Sequence, residues 1–207
     1  MCKLHEYIFP IYRQEYTAPN GSILSGQLID SPVGNGFFAD GLFFTAAHVI
    51  EEAEYPYIKI GNDRVFLNKD NSIIWRSISS ETTTNKYANK NNGDVAVYFI
   101  DGIKSPFNLS DTPPVPNDTM ESCYYHNNDW HYAIGRVGDD ETWFSGNFFG
   151  WKTDFHSTHP TSGGSSGSPL YKDNTIYGIL HGGNYEDPRI CVFTNASFVK
   201  QLLPKEK

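Results

Sequence analysis

Short apolar runs separated by turn-forming residues dominate the chain: GSILSGQLI, GFFADGLFFTAAHVI, YPYIKIG, VAVYFI, HYAIGRV, TWFSGNFFGW, TIYGIL and ICVFT. Each is about strand length, and each is bounded by Gly, Asn, Asp or Pro. Many short strands with little helix predict an all-β chain, a barrel or a sandwich. Helical spacing emerges only near the end, in NASFVKQLL, where Asn195 supplies an N-cap and a short C-terminal helix is predicted. The most proline-rich stretch, Lys104 to Asp118, reads as a connection between two units. SISSETTTNKYANKNNGD is polar and reads as an exposed loop, and no internal repeat breaks the pattern.

The length of 207 residues accommodates one large domain or two small barrels sharing a core interface. Phe and Tyr, 14 and 13 residues against 2 Met, favour strands over a helix bundle. A net charge of -8 argues against nucleic acid as a partner, because phosphate binding needs basic surface. No run of about 18 apolar residues and no basic amphipathic segment points to a membrane. The opening MCKLHEYIFPIYRQEY lacks the apolar core, about 7–15 residues long, of a secretory signal. With only Cys2, Cys123 and Cys191, the expectation is reduced thiols and a cytoplasmic protein.

Three segments carry candidate chemistry. FFTAAHVI places His48 at the end of a buried strand, and NGDVAVYFI sets Asp94 immediately before another. TSGGSSGSPL, Thr161 to Leu170, offers Ser165, Ser166 and Ser168 in a glycine-rich turn ahead of a strand. Each has an ordinary structural reading: a core histidine, a turn aspartate, a flexible spacer. Cys123, His126 and His131, and separately His156 and His159, match no standard ligand spacing, so neither metal nor cofactor is expected. The aromatic WFSGNFFGW reads as core and edge strand.

Taken in chain order, His, Asp, Ser, these segments resemble the trypsin/chymotrypsin-like serine proteases. The local patterns there are Thr-Ala-Ala-His, Asp-(apolar)-Ala-(apolar) and Gly-Asp-Ser-Gly-Gly-Pro. The order is informative, because the same constellation on other folds runs differently along the chain. TSGGSSGSPL is similar to the Thr-x-Gly-Gly-Asn-Ser-Gly-Ser-Pro of the bacterial glutamyl-endopeptidase branch, and YGILHGG resembles the strand lining the substrate cleft. The resemblance implies two six-stranded antiparallel β-barrels: residues 1–105 with His48 and Asp94, a linker at 106–118, and 119–207 with Ser166 and the C-terminal helix. It implies a serine endopeptidase acting on a protein or peptide through an acyl-enzyme. Ser166 is the nucleophile because Gly-x-Pro follows it; Ser168 is then a small packing residue. His48 is the base and Asp94 orients it, while the N–H groups of Gly164 and Ser166 form the oxyanion hole.

Two departures from that pattern alter the expectation. Ser165 stands where zymogen relatives carry an acid that pairs with a freed amino terminus, so no amino-terminal trimming is expected. Control by a regulatory protein partner is then one route left open. Thr161, Leu180, His181, Gly182 and Gly183 are the expected substrate-binding residues, with Gly182–Gly183 as an edge for strand addition. Glutamyl endopeptidases place a histidine where this chain has Leu180, and His181 falls one residue later. By position His181 resembles the serine that supports the triad aspartate, and only a bulge would return it to the pocket. The neutral pocket favours an uncharged P1 residue. Glutamyl specificity, or a silent peptide-binding module on a protease fold, are the alternatives.

Overall fold

The computed structural model describes residues 5–17, 27–77, 93–138, 144–145, 147–153, 164–183, 187 and 189–204. Two sheets account for most of them. The first holds β1 (Ile8–Thr17), β2 (Gln27–Ala39), β3 (Leu42–Thr45), β4 (Tyr57–Ile60), β5 (Asp63–Phe66), β6 (Ile74–Arg76) and β7 (Val95–Tyr98). Its strand order, β5-β4-β1-β2-β3-β7-β6, curls into a half-barrel. The second contains β8 (Asn108–Leu109), β9 (Thr119–His126), β10 (Asp129–Val137), β11 (Phe144–Ser145), β12 (Phe148–Thr153), β13 (Pro169–Lys172), β14 (Thr175–Gly183) and β15 (Ile190–Asn195). Pairing of β10 with β12 closes six of these strands, β10-β9-β13-β14-β15-β12, into a barrel. Closure removes the free edges that an open sheet would expose. Within the proline-rich connection, β8 pairs in parallel with β14, so this stretch is stitched onto the second sheet.

The turns follow their sequences. Asp40 and Gly41, with φ of 47° and 74°, join β2 to β3, and Asn127 and Asn128, with φ of 50° and 61°, join β9 to β10. Paired positive φ values match the twist of a tight hairpin, and Asn, Asp and Gly reach them at least cost. CYYHNNDWH is therefore a β9–β10 hairpin. The short helix α1 (Ala47–Glu51) follows β3, and α2 (Ala196–Leu202) closes the chain, capped by Asn195, whose side chain accepts from the Ser197 N–H at 3.0 Å. No helix among the described residues is long and apolar enough to cross a membrane.

Three apolar clusters hold the assembly together. Ile11, Phe38, Phe43, Ile58, Leu67 and Tyr98 fill the first sheet. Tyr124, Phe149, Trp151, Leu170, Leu180 and Phe193 fill the closed barrel. A third cluster joins Phe37, Phe44 and Val97 of the first sheet to Phe107, Tyr171, Ile179 and Val199, making a shared core between the sheets. Burying this much aromatic surface is the main force docking the two sheets, and the candidate residues lie along that seam.

Candidate active site

The register of β3 against β7, with Thr45 opposite Ala96, puts the end of one strand beside the start of the other. His48 therefore lies next to Asp94. It sits in the first turn of α1, just past the strand end that the sequence suggested. N–H groups at a helix start have no intrahelical acceptor. Asp94 Oδ1 accepts the one from His48 at 3.1 Å, while Oδ2 faces His48 Nδ1 at 2.5 Å. The same Oδ2 also faces His181 Nδ1 at 2.7 Å, so two imidazoles share one carboxylate oxygen. Because a carboxylate only accepts, both rings present an Nδ1–H to it, and in a neutral ring Nε2 then keeps the lone pair.

Asp94 is 1% exposed. Burial alone would raise its pKa, yet the hydrogen bonds and charges of His181 and His48 outweigh that and hold the carboxyl well below its usual range. For His48, burial works against the charged form, but the Asp94 hydrogen bond and charge prevail and raise its pKa. Backbone anchors keep the aspartate in place: Thr194 Oγ1 of β15 accepts from the Asp94 N–H at 3.2 Å and donates to its carbonyl at 3.3 Å. Gly93 makes this approach feasible, because at φ 69° a Cβ there would meet the Phe198 ring at 2.9 Å and Thr194 at 3.1 Å.

Across the seam, the Ser166 turn is built on two glycines at positive φ, Gly164 at 102° and Gly167 at 83°. A Cβ on Gly167 would lie 2.0 Å from the Asn35 carbonyl oxygen, so only glycine lets the turn approach β2. The Ser165 carbonyl accepts from Ser168 N–H at 3.3 Å and Ser168 Oγ at 2.5 Å. Gly167 N–H donates to the Leu180 carbonyl at 2.8 Å, and Leu180 N–H to that of Ser168 at 2.8 Å. Pinning the Ser165 carbonyl aims the opposite edge of its peptide, the Ser166 N–H, the other way. Among the described residues neither that N–H nor the one on Gly164 has an acceptor. Ser166 lies beside α1, since a Cβ on Gly34 would touch both Val49 and the Ser166 carbonyl. Its hydroxyl has no hydrogen-bond partner among the described residues.

The expected substrate-binding residues separate in space. Thr161 lies outside the described residues, as do His156 and His159. Leu180, expected as a pocket wall, is 1% exposed and packs in the closed barrel, so only its backbone takes part. His181 sits where the β14–β15 register slips, between Leu180 and Gly182. That bulge leaves its ring on Asp94, 5.7 Å from the His48 ring and 5.2 Å from Phe148. Gly182 and Gly183 continue β14 beyond its pairing with β13, and space is open where a Gly182 Cβ would stand. His48, Asp94 and His181 also form a group whose ligating atoms lie within 4.8 Å of one another. The two contacts inside it have the length of charge-assisted hydrogen bonds. In the β9–β10 hairpin, His131 stacks on Tyr124 and bonds the His126 carbonyl through Nε2, a packing arrangement.

Asn35 is the site residue that sequence reading missed. It is fully buried in β2, its N–H bonds the Ser166 carbonyl at 2.8 Å, and its Nδ2 bonds the Gly164 carbonyl at 2.9 Å. The signal lay in VGNGFF: a polar residue between two glycines inside a strand marks a close backbone approach.

No family model matches the sequence, and no curated protein matches it either. Solved structures do. The active form of the Rv3671c protease from M. tuberculosis superposes with a TM-score of 0.61 at 16% identity, covering 95% of this chain and 79% of that one. The scabies mite inactivated protease paralogue S-I1 gives 0.62 at 14% identity, covering 96% and 92%. Kallikrein-related peptidase 10 gives 0.61 at 15%, covering 94% and 92%. An inactivated paralogue among them shows that the fold alone does not carry turnover. With its half-barrel docked on a closed six-stranded barrel, the chain has the trypsin/chymotrypsin fold of these proteins.

Proposed function

We propose that the chain is a serine endopeptidase in which Ser166 attacks the scissile carbonyl, His48 Nε2 takes its proton, and Asp94 holds the imidazole. The observation that carries this reading is the His48–Asp94 pair: a buried carboxylate takes the Nδ1–H at 2.5 Å and leaves the other ring nitrogen basic. A raised His48 pKa suits a group that must accept a proton in the acylation step and return it to the leaving amine. Gly164 and Ser166 N–H groups stabilise the developing oxyanion, an effect of about 3 kcal/mol for each donor. Ser166 and His48 share no hydrogen bond among the described residues, and such catalytic contacts commonly tighten in the substrate complex.

Substrate backbone adds to β14 past Leu180, where the edge facing away from β15 has no partner strand among the described residues. His181 supports Asp94 and so does not read an acidic side chain. That favours an uncharged P1 residue over a glutamyl preference. Ser165 offers no carboxylate for an amino-terminal ammonium, in keeping with activity that needs no trimming. Labelling by a fluorophosphonate probe tests the reading: Ser166→Ala abolishes it and His48→Ala reduces it strongly. A folded wild type that neither labels nor cleaves a diverse peptide library supports the silent-scaffold alternative.

A further inference from the structure

The oxyanion loop belongs to the second sheet, yet a buried side chain of the first sheet also holds it. Asn35 lies in β2 with no exposed surface. Its Nδ2 donates to the carbonyls of Gly164 at 2.9 Å and Tyr125 at 3.1 Å, and its Oδ1 accepts from the Tyr125 N–H at 2.8 Å. Those partners also settle the orientation of the carboxamide, since the flipped form would set its oxygen against two carbonyls. The main chain repeats the connection: Asn35 N–H bonds the Ser166 carbonyl at 2.8 Å, and the Asn35 carbonyl is fixed by Thr45 Oγ1 at 2.6 Å. One buried residue thus holds two of the three carbonyls from Gly164 to Ser166, and Ser168 holds the one between them.

We propose that Asn35 is the positioning residue of the oxyanion hole: from the first barrel it locks the Gly164–Ser166 turn, so that competence is set by barrel docking rather than by a terminal ammonium. This rests on the endopeptidase reading for its catalytic consequence, and on geometry alone for its structural one. A peptide unit is rigid, so the two carbonyls held by Asn35 fix the Gly164–Ser165 and Ser166–Gly167 peptide planes, which flank on both sides the Ser165–Ser166 peptide whose N–H is the donor. Preset donors cost no reorganisation at the moment charge develops. Because the partners of Asn35 come from β3, β9 and the Ser166 turn together, the loop cannot relax without breaking the contact between the two sheets at this point.

Asn35→Asp is the discriminating variant. It keeps the shape and the acceptor for Tyr125, but sets an oxygen against the Gly164 and Tyr125 carbonyls. The expected result is a fall in kcat of about tenfold to a hundredfold, short of the roughly 10²–10³ lost when a donor is deleted, with KM within about twofold. Amide exchange at Gly167 and Ser168 rises by about tenfold or more, while the β12–β15 ladder keeps its protection. Leu67→Ala, which loosens the first-sheet core, changes neither kcat nor the loop exchange. If Asn35→Asp does not fold, wild-type exchange across a denaturant series decides instead: the amides of Asn35, Tyr125 and Gly167 open as one unit. A folded Asn35→Asp with wild-type kcat and wild-type loop exchange overturns the proposal, as does Gly167 opening independently of Asn35 and Tyr125. If the wild type proves inactive, the endopeptidase reading fails while both exchange arms still decide what Asn35 does.

Discussion

Replacing Asp94 with Asn separates the chemistry of the site from its architecture. In the native structure three N–H groups converge on the carboxylate: the His48 backbone on Oδ1, and the His48 and His181 rings on Oδ2. An amide has one accepting and one donating end. With its oxygen toward the rings, its NH₂ would oppose the His48 backbone N–H, a donor against a donor. With the oxygen toward that N–H, the NH₂ has two hydrogens for two rings, and every contact survives once both imidazoles move their proton to Nε2. The second arrangement wins, and it deprives His48 of the lone pair that should accept from Ser166. The lost charge assistance, about 1 kcal/mol per bond, is partly offset because no charge is then buried. We therefore expect a net stability loss of no more than about 2 kcal/mol and a Tm lower by at most about 8 °C. Activity falls by about 10⁴, or roughly 5.4 kcal/mol. Steady-state kinetics measures the loss, and ¹⁵N spectra of the rings report the tautomers, with His181 as an internal witness that inverts together with His48. A variant within about tenfold of wild-type activity, or one whose rings keep their Nδ1 protons, refutes this account of the site.

Two further outcomes follow from the same geometry. Gly93→Ala forces a side chain to φ 69° and against Phe198 and Thr194, so it should cost about 1–3 kcal/mol in urea unfolding and lower kcat by displacing Asp94. The pH dependence has two limbs of opposite sign. His48 has a raised pKa, so its pairing contributes stability that is complete below its ordinary value of 6.5 and is lost as pH rises through the folded value. Asp94 has a lowered pKa, so its contribution is complete above its ordinary value of 3.8 and is lost as pH falls toward the folded one. With His48 as the base of the proposed mechanism, activity should require its neutral form and rise through a limb above 6.5. A kcat/KM profile whose acid limb lies below that value, or a urea midpoint flat from pH 5 to 9, would contradict these shifts.

Much of the molecule was legible because strands and turns are local. The alternation and punctuation of VAVYFI, TIYGIL and ICVFT correspond to β7, β14 and β15, and NASFVKQLL forms the Asn195-capped helix. Other elements escaped. Strand β1 was not anticipated, because Pro10, Arg13, Gln14 and Glu15 break its apolar pattern and its order comes from pairing with β2 over its full length. CYYHNNDWH raised a metal question until its two asparagines took positive φ and turned a hairpin.

For the site, residue types and motif order were enough to name His48, Asp94 and Ser166 as candidates, since that information is carried by single residues and short spacings. Where each side chain points was not contained in them. Leu180 is drawn into the barrel core and Asn35 reaches a loop 129 positions away, whereas the place of His181 beside Asp94 is the one its motif position had suggested. Only the docking of two sheets along one apolar seam brings those partners within hydrogen-bond range. The perturbed carboxylate and the preset turn are therefore properties of the tertiary structure, while the chemistry available to them was already written in the chain.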